Sequence, residues 1–301
     1  CRDWLILQGA KDVEIDRANN VICRIHCEHP EGLVAFMANT DIVFPDQDTL
    51  QMRLEGRKLY APGIGDDTAN LVNLLMAAKY LLKYEPDLKM GFLIIANSCE
   101  EGLGNLEGSK EIFRVYGDRI KVSYSFDCYL SQCISTAVGS YRYKITAKTA
   151  GGHSWKKFGC PNAIQVLCAL VEKLYQLKVP EEPKTTYNVG YFNGGTTVNA
   201  IAQEASMLFE FRSVSQKCLQ DMDLKLREIT EDFSGAFSID MELLGIRPGN
   251  GAVDLNELEK FTRQSIKIIK EFYHGELNLE AASTDSNIPL SRGICANTIG
   301  A

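Results

Sequence analysis

Apolar residues along the first 135 positions gather in short unbroken runs separated by helical stripes. Leu33 to Ala38, Gly91 to Ala96 and Val122 to Phe126 are such runs. Runs without in/out alternation predict strands buried on both faces. Between the first two, Leu71, Leu74, Leu75, Ala78, Leu81 and Leu82 fall on one stripe of a helix over Thr68 to Tyr84, which must stop before Glu85-Pro86. A weaker stripe predicts a second helix over Asn105 to Tyr116. Strand, helix, strand, helix, strand reads as a mostly parallel sheet with right-handed crossovers.

The period changes near Val138. Tyr141, Tyr143, Ile145 and Ala147 alternate with Arg142, Lys144, Thr146 and Lys148, the mark of a half-exposed antiparallel strand. A helix follows Pro161, two strands cover Thr186 to Phe192 and Ala205 to Phe211, a clean stripe runs from Leu219 to Phe233, and Ala236 to Leu244 closes the unit. This β-α-β-β-α-β order is the ferredoxin-like pattern. A helix from Asp254 and a strand over Ile294 to Ile299 return to the first pattern. The expected fold is α/β: a catalytic-type domain over 1–137 and 246–301, with helices flanking its sheet, and an inserted α+β domain over 138–245.

Lys+Arg 32 against Asp+Glu 39 leaves a net charge of −7, which argues against a nucleic-acid partner. Apolar stretches such as Phe92 to Ala96 are far too short to span a membrane. Ten cysteines without a small-domain spacing framework, and no visible signal peptide, suit a reducing cytoplasm. A start at Cys1 and a stop at Ala301 read as truncation at both ends.

Ligands collect at the carboxyl ends of parallel strands. Here those ends carry Asn39-Thr40-Asp41, Asn97-Ser98-Cys99-Glu100-Glu101 and Asp127, with Asp66-Asp67 opening the helix in between. One such acid is ordinarily a cap or a solvated turn. Several in one place repel unless protons or a cation compensate, so a divalent-metal site is the economical reading. Adjacent Glu100 and Glu101 point apart from a strand end, so one can ligate metal while the other serves as general base. Gly102-Leu103-Gly104 with Gly108 is a poor dinucleotide loop, because two glutamates precede it. Cys23, His26, Cys27 and His29 could be a zinc cluster, but Val21, Cys23, Ile25 and Cys27 alternate like one arm of a hairpin. His274, near the end of its helix, reads as a solvated C-terminal residue.

Phe36-Met37-Ala38-Asn39-Thr40-Asp41, Gly63-Ile64-Gly65-Asp66-Asp67, Ser98-Cys99-Glu100-Glu101-Gly102, Phe126-Asp127, Gly151-Gly152-His153-Ser154 and Ser283-Thr284-Asp285-Ser286-Asn287 occur in the order found in the two-zinc exopeptidases and deacylases. The chain resembles that family, which includes peptidase T, carboxypeptidase G, acetylornithine deacetylases and succinyl-diaminopimelate desuccinylases, and is most similar to the peptidase T-like branch. The resemblance implies a metal-dependent hydrolase of peptide or N-acyl amino-acid bonds, two zinc ions, and a homodimer formed through the inserted lid. It implies that Asp66 bridges both metals, Glu101 and Asp127 are terminal ligands, Glu100 is the general base and Asp41 orients the ligand two residues before it. His153 would stabilise the tetrahedral intermediate, and Asn199 and Arg212 would grip the substrate carboxylate, a task that suits the planar fork of Arg.

Three departures accompany it. Asn39 stands where the family has a metal histidine, and an amide oxygen is a poorer zinc ligand than imidazole. Thr68 replaces the usual Lys, and the family's last metal histidine would fall beyond Ala301. The oxygen donors that remain favour Mg²⁺, Mn²⁺ or Ca²⁺. A catalytically impaired relative acting as a binding protein is therefore the alternative. A cysteine hydrolase is disfavoured, since the acids beside Cys99 suppress its thiolate.

Overall fold

The computed structural model describes residues 1–43, 51–233 and 235–300. In chain order the first part comprises α1 (Arg2–Leu7), β1 (Val13–Ile15), β2 (Val21–Ile25), β3 (Leu33–Asn39), β4 (Arg53–Glu55), β5 (Lys58–Tyr60), α2 (Ala69–Tyr84), β6 (Gly91–Asn97), α3 (Glu107–Tyr116), β7 (Ile120–Phe126) and β8 (Gln132–Ala137). An inserted part follows with β9 (Gly139–Thr149), β10 (Gly152–His153), α4 (Ala163–Leu174), β11 (Thr185–Gly194), β12 (Ala200–Ile201), β13 (Glu204–Ser213), α5 (Gln216–Glu231) and β14 (Phe237–Arg247). The chain closes with α6 (Leu255–Phe272), β15 (Asn278–Ala282), α7 (Asn287–Ser291) and β16 (Cys295–Ile299). Contacts divide it into one unit of Cys1–Ala137 with Asn250–Ala301 and a second of Val138–Gly249. The second boundary thus falls at Gly249, not at residue 245.

The first unit is built on a sheet of order β1-β2-β6-β3-β7-β16-β8-β15. Its middle strands β6, β3, β7 and β16 are mutually parallel. The sheet is mostly parallel, as expected, with β15 also parallel to β8, while β1 with β2, β2 with β6, and β16 with β8 are antiparallel. Strands β8 and β15 escaped the sequence reading because their residues are short, polar or small, without the β-branched runs that mark the middle. The alternation at Val21 to Cys27 does form a hairpin, β1–β2, with Val13 opposite Cys23.

Both faces of this sheet are covered. Leu33, Ala35, Met37, Leu93 and Ile95 pack with Ile112 and Phe113 of α3. Ala38, Ile94 and Ala96 pack with Leu5 of α1 and with Leu71, Leu74 and Ala78 of α2. Two opposite apolar faces explain the continuous runs in β3 and β6, where nearly every residue is buried. Helix α2 ends as expected, with Glu85 turning left-handed before Pro86. Helix α3 starts at Glu107, two residues later than expected, because Asn105 and Leu106 both adopt positive φ.

The second unit is a four-stranded antiparallel sheet of order β11-β13-β9-β14 with α4 and α5 on one face. Tyr143, Ile145, Met207, Phe209 and Phe211 from the sheet meet Leu167, Leu170, Leu219, Met222 and Leu226 from the helices. The outer face is charged: Lys148 pairs with Asp240 at 3.0 Å, and Glu210 accepts from Arg212. Both edge strands carry a bulge, β11 between Val189 and Tyr191 and β14 between Leu243 and Gly245. No helix among the described residues is long and apolar enough to cross a membrane.

Candidate active site

The parallel register sets the site. Asn39, last in β3, lies directly beside Asn97, last in β6. The Asn97 carbonyl accepts from both the backbone N–H and the hydroxyl of Thr40, at 2.8 and 2.9 Å, which ties the two strand ends together. Asp127 follows β7, and its N–H donates to the Ile299 carbonyl of β16 at 3.1 Å. Three neighbouring strands therefore release their chains on one side of the sheet, each into polar residues.

Asp41 organises the paired acids. Its carboxylate accepts from the backbone N–H of Glu100 at 3.2 Å and of Glu101 at 2.8 Å. A charged acceptor bridging two successive N–H groups fixes the peptide that carries both glutamates. The resemblance assigned Asp41 to orienting the residue at 39. Here the Asn39 amide donates to the Asp41 backbone carbonyl at 3.2 Å, so the two are joined, and the Asp41 carboxylate is directed to the other strand's loop.

Asp66 and Asp67 occupy a tight turn, Ile64–Thr68, entered through Gly63 at φ +70°. A Cβ on Gly63 would come within 2.3 Å of the Ile42 side chain, so the turn needs glycine on both counts. Asp67 is almost fully buried; it accepts from the Asn39 N–H at 2.9 Å and from the Asn70 side-chain amide at 2.7 Å. Burial, with the charges of Asp127 and Asp66 adding to it, pushes its carboxyl up to about 9. Asp66 is also raised, by burial.

Cys128 lies within electrostatic reach of these acids. Its thiol is pushed far up by burial and then by Asp127, Asp66, Glu100 and Asp67 in that order. Four acidic side chains from three separate stretches of sequence thus act on one half-buried sulfur. Sequence reasoning found all four acids but missed Cys128, which lies outside every recognised motif. It also did not separate Asp67, buried against Asn39, from the more accessible Asp66. The alternation of apolar and polar residues gives no sign of either.

Asp285 is a further buried acid, accepting from the Asn97 side-chain amide at 2.6 Å. The quoted motif around it runs into α7, where Thr284 and Ser286 share contacts with the Thr298 hydroxyl at 2.6 and 2.7 Å.

The remaining candidates lie in the second unit. His153 ends β10 opposite Ala200 of β12, and Ser154 donates to the Asn199 carbonyl at 3.0 Å, so His153 and Asn199 are neighbours. Arg212 is not with them: it sits at the far end of β13, opposite Ser140 and Thr186, where Glu210 holds its guanidinium at 2.9 and 3.1 Å.

Similarity to known proteins can be set against this geometry. Residues 136–236 match the peptidase dimerisation domain M20_dimer. The uncharacterized protein YqjE of Bacillus subtilis is 25% identical over 299 residues, 94% of this chain and 76% of its own. A tripeptidase of Staphylococcus aureus superposes with a TM-score of 0.72 at 18% identity, covering 99% of this chain and 82% of its own. An M20 family metallo-carboxypeptidase of Sulfolobus solfataricus gives 0.75 at 14% identity, covering 99% and 84%. The fold is the M20 peptidase fold. The inserted unit is where the M20 dimerisation domain lies, and the resemblance drawn from the ordered motifs agrees with these neighbours.

The donor set can then be tested against the two zinc ions that the resemblance of the sequence motifs implies. Among the described residues no group of three or more His, Cys, Asp or Glu side chains is arranged to hold a metal ion. Asn39 contributes no imidazole, and its amide N–H is spent on Asp41. The acids fit a hard cation in kind, but the residues described do not complete a two-zinc centre.

Proposed function

We propose that the chain is a hydrolase of amide bonds in peptides or N-acyl amino acids, metal-dependent in the manner of the M20 peptidases. The supporting observation is the grip of the Asp41 carboxylate on the N–H groups of both Glu100 and Glu101, beside Asp66, Asp67 and Asp127. A structural turn has no need of a charged clamp on two successive acids. A general base has, because proton transfer depends on fixed geometry.

Because the described donors do not complete the metal set, the chemistry derived is that of the chain's own side chains. Glu100 takes a proton from the attacking water as its oxygen bonds to the carbonyl carbon. It returns that proton to the nitrogen as the C–N bond breaks, releasing a carboxylic acid and an amine. His153 Nδ1 accepts from the Trp155 N–H at 3.2 Å, so the neutral ring carries its proton on Nε2 and can donate to the developing oxyanion. The Asn199 Oδ1 accepts from the Thr197 hydroxyl at 2.9 Å, so the group Asn199 offers a substrate carboxylate is its amide N–H pair. Arg212, held on its Nε edge by Glu210, offers its remaining N–H groups as a second carboxylate contact. Asp66, Glu101 and Asp127, with Asn39 the weakest, are the residues offered to metal. A homodimer through the inserted unit and a reducing, cytoplasmic setting for the ten free thiols complete the reading.

The test is to titrate the purified protein with Zn²⁺, Mn²⁺ and Mg²⁺ while assaying tripeptides and N-acyl amino acids. Metal-dependent cleavage abolished by Glu100→Gln is the expected result; cleavage that persists in Glu100→Gln refutes the assignment. The hydrogen bond from the Asn39 amide to Asp41 favours a second reading, a binding protein that has lost its metals. Absence of both metal binding and turnover, restored by Asn39→His, would decide for it.

A further inference from the structure

A cleft of ≈ 580 Å³ on the first unit, lined by residues of the β1–β2 turn, of α3 and of the segment after α7, gathers charge in a way the hydrolase reading does not use. Arg17, Lys110, Arg114 and Arg292 line it together with Glu107 and Glu111. Four cations against two carboxylates leave the cleft two charges positive, in a chain whose net charge is −7.

Of the two acids, Glu111 is the scaffold and Glu107 a competitor for Lys110. Glu111 is buried, with its side chain only 7% exposed, and holds Arg17 at 2.8 Å and Arg114 through two bonds at 2.7 and 2.8 Å. Those bonds, Arg114 first and then Arg17, push its carboxyl down to about 2. Glu107 holds Lys110 at 2.7 Å. Arg292 donates one N–H to the Phe113 carbonyl at 2.5 Å. Each guanidinium is therefore oriented by one edge while its other N–H groups remain available. Pre-set forks of this kind cut the ordering cost of gripping an oxyanion.

We propose that this cleft binds a phosphate group carried by a small molecule. A dianion matches the surplus of two charges, whereas a monocarboxylate would neutralise only half of it. Three planar forks and one ammonium also suit tetrahedral oxygens better than a planar carboxylate. The cleft stands behind the paired acids: Ala18, in its wall, accepts from the Ser98 hydroxyl, and Asn20 binds both the Ser98 N–H at 3.0 Å and the Gly108 carbonyl at 3.0 Å. Its wall is thus fastened to the loop that carries Glu100 and Glu101.

The experiment is calorimetric titration of the intact chain with inorganic phosphate and with pyrophosphate in low-chloride buffer, with acetate as the monocarboxylate control. Both phosphates should bind more tightly than acetate. Arg17→Gln combined with Lys110→Gln should weaken phosphate at least about tenfold, since two charge-assisted partners are lost. Glu107→Gln removes an acid and should tighten it. Should the double variant lose its fold, judged by circular dichroism, the Glu107→Gln comparison decides alone. Equal affinity of the wild type and Glu107→Gln, an unaltered affinity in a folded double variant, or no phosphate heat at all, each overturns the proposal.

Discussion

The two units solve the burial problem in opposite ways. The inserted unit packs an apolar sheet face against two helices, and among its described residues no carboxylate is buried. The first unit has two apolar faces, yet it buries Asp67, Glu100, Glu111 and Asp285. Burying acids is costly unless they find donors: Asp67 and Asp285 take them from asparagine amides, and Glu111 from two guanidinium groups. The contrast separates residues kept for packing from residues kept for chemistry, inside one chain and one set of conditions.

Substitutions can break or sharpen this contrast. Glu100→Gln should cut amide hydrolysis by about 10²–10⁴-fold, the usual worth of a general base, with little change in the thermal midpoint. A midpoint that collapses instead would put Glu100 with the packing residues. Phe209→Ala, in the apolar core of the inserted unit, should cost about 3–5 kcal/mol in urea unfolding, read from the shift in midpoint. Asp41→Asn removes the charge that clamps two N–H groups; about 1–3 kcal/mol of stability should go, with a fall in turnover out of proportion to it. Equal loss in both would mean that Asp41 only braces the loop.

The smallest effect concerns pH. Arg114 and Arg17 hold Glu111 near 2, below its ordinary value of 4.5. A depressed carboxyl stabilises the fold above its ordinary value and loses that contribution as pH falls toward 2. Glu111→Gln should therefore be less stable than the wild type near neutrality, with a gap that narrows as pH falls from about 5 to 2, read from urea midpoints followed by circular dichroism.

Much of this was legible in the sequence because it rests on short-range pattern. The runs at Leu33 and Gly91, the stripe from Leu219 and the β-α-β-β-α-β order each follow from local periodicity, and each is an observed element. The strand-end acids were legible because parallel strands put their carboxyl ends together. What could not be read depends on pairing at a distance. Antiparallel β2 against β6 leaves no mark in either strand's residues, and short, exposed β15 looks like loop. Motif order gave Asn199 and Arg212 one role, gripping a carboxylate, but order does not give the end of a strand on which a residue sits. The β13 register with β9 does, and it separates them.

The interruptions in β11 and β14 reach beyond local geometry. These are the outermost strands of the inserted unit's sheet, the positions where a protein's exposed ladder can recruit a stranger's backbone and begin to polymerise. An extra residue on each rim twists the ladder out of line, so a foreign strand finds only a short straight segment to join. A unit so guarded can sit at the outside of an assembly at high concentration, and any lasting union along its rim has to be chosen by matching side chains.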